Sequence, residues 1–69
     1  DLLPELLEAL YLFKTAPIEE KAHYRSELYR LVDMIDDPRL SRQDVIGHLL
    51  SNHYPEYYKR RVRQDTQGV

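Results

Sequence analysis

The stretch IEEKAHYRSELYRLVDMI, residues 18–35, places Tyr24, Leu28, Leu31, Val32 and Ile35 at intervals of three and four residues. That spacing sets them on one side of an α-helix. Pro17 stands at its first turn, where a missing N–H does no harm, and Glu19 and Glu20 follow at the positive end of the dipole. Asp36-Asp37-Pro38 ends it, because the residue before a proline is pushed out of the α region. The reading is a helix over 17–36. At roughly 1.5 Å per residue, residues 18–35 make a rod of about 27 Å, the width of a small domain, along which shorter segments must pack.

Working outward, residues 2–14 read as a first helix, with Asp1 as N-cap, Pro4 in the first turn and Glu5 and Glu8 near the positive end. The link at Lys14, Thr15 and Ala16 is short, which makes helices one and two antiparallel neighbours. A third helix is predicted over 41–52, where Ser41 and Asp44 have capping-box spacing and Val45, Ile46, Leu49 and Leu50 form an apolar face. Gly47 inside it costs about 1 kcal/mol relative to alanine, so a close helix crossing is expected there. A fourth helix, 55–64, starts at Pro55 and carries Tyr54, Tyr58 and Val62 on its inward side. Residues 65–69 lack period and apolar weight and read as a frayed tail beyond a single domain of 1–64. Glycine occurs only at Gly47 and Gly68, and no period-two run favours a strand. The fold class is all-α, a small bundle of four helices.

Two features of the surface stand out. Helix one is apolar most of the way round, and Leu2, Leu3, Leu6, Leu7, Leu10 and Phe13 exceed what helix two can cover. Tyr29 and Met34 fall outside the main stripe of helix two, and with the helix-one residues they form a predicted interface. The second feature is charge. Residues 1–38 carry nine acids against four bases, net −5, while residues 39–69 carry six bases against three acids, net +3. Such a split marks a nucleic-acid face, an acidic partner, or two copies packed with unlike halves together. Tyr57, Lys59, Arg60, Arg61 and Arg63 are the residues of helix four that would make such contacts. Asp33, Asp36 and Asp37 sit at the negative end of helix two, and Arg39 and Arg42 are their counter-charges. Without the spaced oxygen ligands and glycine of a calcium loop, these acids are read as a structural turn.

Chemistry has little to stand on. The chain has no cysteine, no GxSxG elbow and no glycine-rich phosphate loop. His23, His48 and His53 do not pair at the i, i+4 spacing of helical zinc ligands. No catalytic, cofactor or metal site is predicted. Sixty-nine residues remove only about 60 % of the unfolded surface from water, and with no disulfide the remaining staple is oligomerisation. No apolar run reaches the twenty or so residues of a membrane span, and the lack of cysteine fits a reducing, cytoplasmic setting. The chain opens on Asp1 and is expected to be processed or part of something longer.

Two functions follow as expectations. The first is a non-enzymatic helical protein–protein interaction module, self-associating as a homo-oligomer through helices one and two. The alternative is a helix-turn-helix DNA binder, with residues 51–54 as the turn and the basic helix four as recognition helix.

Overall fold

In the computed structural model, which describes residues 1–67, the chain forms α1 (Leu3–Thr15), α2 (Ile18–Asp33), α3 (Arg42–Asn52) and α4 (Tyr54–Gln67). No strand occurs among the described residues, and the architecture is the small all-α four-helix bundle the periodicity predicts. α1 starts where the Leu3 backbone N–H donates to Asp1 Oδ1 at 3.1 Å, although the capping position itself is Leu2. It ends where Ala16 turns extended ahead of Pro17. Pro17 is the residue before α2 and not its first member, and its carbonyl accepts from the Glu20 N–H at 2.9 Å to close the first turn. Lys21 then reaches back, donating to the Phe13 carbonyl at 2.9 Å and the Lys14 carbonyl at 3.3 Å. This places a cation on the orphan carbonyls that end α1.

The core lies between α1 and α2. Leu10 and Leu28 are its most completely enclosed side chains, joined by Leu6, Leu7, Ala9, Tyr11, Leu31 and Val32. α3 contributes Leu49 to this cluster and α4 contributes Tyr54.

α2 stops at Asp33, three residues short of the expected end. Its last turn tightens, with Met34 N–H donating to Leu31 O at 3.1 Å and Ile35 N–H to Val32 O at 3.0 Å. A turn over Asp37-Pro38-Arg39-Leu40 follows, closed by Leu40 N–H to Asp37 O at 3.1 Å. The counter-charges are in place. Arg42 is bidentate on Asp33 at 2.9 and 2.7 Å, and Arg39 donates to Asp37 from both side chain and backbone. Ser41 and Asp44 complete the capping box, at 3.1 and 3.0 Å. Gly47, however, marks no crossing, because a Cβ built there meets nothing within 4 Å.

α3 and α4 are separated by His53 alone. α4 runs on to Gln67, so Asp65 and Thr66 belong to the helix and not to a tail; Gly68 and Val69 lie outside the described residues. Its inward face also differs from the expected one. Tyr54 is buried and Tyr57 and Arg61 are half-buried, while Tyr58 and Val62 are exposed. The reason is polar. Glu8 on α1 accepts from both the Tyr57 hydroxyl and the Arg61 guanidinium. Tyr11, one turn on, lies 4.6 Å under the Arg61 guanidinium and donates its hydroxyl to Asp65 at 3.0 Å. Aromatic and cationic side chains with polar tips therefore face α1, and the aliphatic Val62 does not.

Three outcomes are expected. Leu28→Ala should lower the unfolding free energy by about 2–5 kcal/mol in urea titration, a large part of what so small a domain has. Gly47→Ala should raise it by about 0.5–1 kcal/mol, since the helix interior gains propensity and nothing is crowded. The third concerns acid. Asp33 is held below the usual carboxylate range by hydrogen bonds from Arg42, Asp37 by those from Arg39, and Asp44 by the Ser41 backbone N–H. Each is more acidic folded than unfolded, so its stabilisation is complete above about pH 4 and is lost as pH falls through the folded-state value. Amide NMR shifts across residues 34–44 should show this turn loosening in that acid range while the Leu10–Leu28 core persists.

Candidate docking groove

The turn between α2 and α3 carries an apolar side chain outward. Leu40 is 47 % exposed, fixed there by the Asp37 turn beneath it and by the Ser41 cap that follows. It forms one wall of a groove of about 710 Å³. Leu2, Leu3 and Leu6 at the start of α1, Ile35 after α2, and Val45 and Leu49 of α3 line it as well. Asp1, Asp44, His48 and His53 complete the lining, so its only carboxylates are two aspartates and it contains no lysine or arginine. The His48 and His53 rings meet edge to face with centroids 5.3 Å apart. Asn52 Nδ2 is 3.1 Å from both His48 Nδ1 and the His48 carbonyl. Among the described residues no group of three or more His, Cys, Asp or Glu side chains could hold a metal ion.

The predicted interface divides on this structure. Leu6, Leu7 and Leu10 are buried in the chain's own core, Leu6 where the core meets the groove. Helix two is not the sole cover of helix one, because α4 lies against α1 on the side bearing Glu8 and Tyr11. Leu2 and Leu3 are half-buried and open onto the groove. Phe13 and Tyr29 line a smaller cleft of about 330 Å³ with Ile46 and Leu50. Each is capped by a cation: Lys21 Nζ lies 5.3 Å from the Phe13 ring and the Arg42 guanidinium 4.8 Å from that of Tyr29. Met34 is exposed beside the turn.

The basic set divides as well. Tyr57 and Arg61 are engaged with Glu8 and are not part of an outer basic surface. Burial, followed by the hydrogen bond to Glu8, pushes the Tyr57 phenol up. Lys59, Arg60 and Arg63 do face outward, Lys59 with its Nζ 3.9 Å from Glu56. The expected helix-turn-helix turn at 51–54 is absent, since Ser51 and Asn52 belong to α3 and Tyr54 to α4.

Sequence reasoning missed Leu40 and Ile35 as surface-forming residues. The available signal was an isolated leucine between Pro38 and the Ser41 cap, where turn residues are ordinarily polar. No helix among the described residues is long and apolar enough to cross a membrane. In comparisons with known proteins, no family model, no curated protein and no solved structure matches the chain.

Proposed function

We propose that the chain is a non-enzymatic helical protein–protein interaction module that self-associates, with the groove around Leu40 as its docking surface. The observation that carries this reading is an open apolar groove whose wall includes a leucine held outward by two hydrogen-bonded turns. Its volume is within the roughly 300–1,000 Å³ of sites that enclose a small ligand. A domain of 69 residues gains stability by covering such a surface. The lack of cysteine accords with a reducing, intracellular setting.

Sedimentation velocity at micromolar concentration should show a mass above that of one chain, and the thermal midpoint should rise with concentration. Leu40→Lys should return the protein to a monomer with unchanged helicity, because Leu40 lies outside the helices and outside the core. A chain that stays monomeric across that range, with a midpoint insensitive to dilution, would overturn the proposal.

Lys59, Arg60 and Arg63, turned outward along α4, favour one second reading, contact with duplex DNA. Three phosphate contacts imply a slope of log K against log salt of about −2.7. A titration giving that slope, lost in Arg60→Ala/Arg63→Ala, would replace the module reading.

A further inference from the structure

We infer that the groove is filled by the outer shoulder of α4 from a second copy of this chain, with Tyr58 and Val62 entering it and Lys59 and Arg63 meeting Asp1 and Asp44. This rests on the self-association reading and names the surface that answers the groove.

The exposed large apolar side chains of the described residues are Ile18, Met34, Leu40, Leu50, Tyr58 and Val62. Leu40 lines the groove itself, Met34 is the C-cap of α2 and directly precedes the groove residue Ile35 in sequence, and Leu50 lines the smaller cleft next to α3. Ile18 is isolated and followed by Glu19 and Glu20, which an acidic groove repels. Tyr58, 44 % exposed, and Val62, 39 % exposed, are the pair that remains. They are four residues apart on one helix, which puts them about one turn, or roughly 6 Å, apart on the same side.

Charge makes the match specific. Lys59 and Arg63 each follow one of these two residues and so form a parallel basic row about 100° round the helix. The groove presents Asp1 and Asp44 and neither lysine nor arginine. An apolar ridge with a basic border thus answers an apolar cleft with an acidic border, the arrangement that steers and registers an interface. Glu8 of its own chain holds Tyr57 and Arg61 on the inner side of α4, and Tyr58 rests one edge on the Tyr11 and Tyr54 rings, so the exposed part of Tyr58 and Val62 form the shoulder.

Groove and shoulder are different surfaces, so each copy offers one of each. Exchanged about a two-fold axis they close a dimer; repeated head to tail they make a ring or a filament.

The test uses two variants of the full chain. Leu40→Lys damages the groove and keeps the shoulder; Val62→Glu/Arg63→Glu damages the shoulder and keeps the groove. Each alone should weaken self-association at least tenfold by sedimentation, and an equimolar mixture should restore a two-chain species. Circular dichroism checks that both stay helical, and Lys59→Glu/Arg63→Glu, which leaves the apolar pair intact, replaces the shoulder variant if that one unfolds. If the unmodified chain associates but the shoulder variant associates equally well, or the mixture stays monomeric, α4 is not the occupant and self-association stands without it. If the unmodified chain is monomeric throughout, both readings fall.

Discussion

The packing of α1 against α2 through Leu10 and Leu28 is the contact on which the other helices depend. Both side chains are enclosed almost completely, and six of the remaining eight core residues belong to the same two helices. The link is short because Pro17 ends one helix and precedes the next, and Lys21 fastens the turn by covering the carbonyls at the end of α1. α3 and α4 add one buried side chain each, Leu49 and Tyr54. They are accessories to a helical hairpin. The consequence is that α3 leaves clefts between itself and the hairpin, and the larger of them is the groove.

α4 is attached by different chemistry. Glu8 accepts from two donors, and Tyr11 offers its ring to Arg61 and the Tyr57 and Tyr58 rings while its hydroxyl reaches Asp65. Ion pairs with solvent access contribute about 0–1 kcal/mol each, and an aromatic pair about 0.5–1.5 kcal/mol beyond its buried area. With Tyr54 as its buried residue, α4 detaches at lower cost than the hairpin opens. What these contacts supply is orientation. They decide which side of a tyrosine- and arginine-rich helix turns in.

That decision was the part of the structure least legible in the sequence. The four helices could be read because caps and periodicity are local: Ser41 and Asp44 declare a helix start, and Leu28, Leu31 and Val32 declare a face. The charges at the end of α2 were legible for the same reason, since Arg39 and Arg42 lie within a few residues of Asp37 and Asp33. The face of α4 was not. An aliphatic stripe through Val62 suggests itself from spacing, yet Tyr57 and Arg61 turn inward because Glu8 awaits them from some fifty residues away. The fate of Leu6, Leu7 and Leu10 was hidden too, because their surplus over helix two is taken up in one cluster with Leu49 of α3 and Tyr54 of α4. Three of the eight predicted interface residues, Leu6, Leu7 and Leu10, therefore belong to the core, while Leu2 and Leu3 line the groove.

The tyrosine cluster around Tyr11 also makes the molecule its own optical probe. The chain has no tryptophan, and four of its six tyrosines, Tyr11, Tyr54, Tyr57 and Tyr58, meet where α4 crosses α1. Near-ultraviolet dichroism and intrinsic emission are thereby weighted toward a single helix contact. Light absorbed by this protein reports the seating of α4 more directly than the integrity of the aliphatic core.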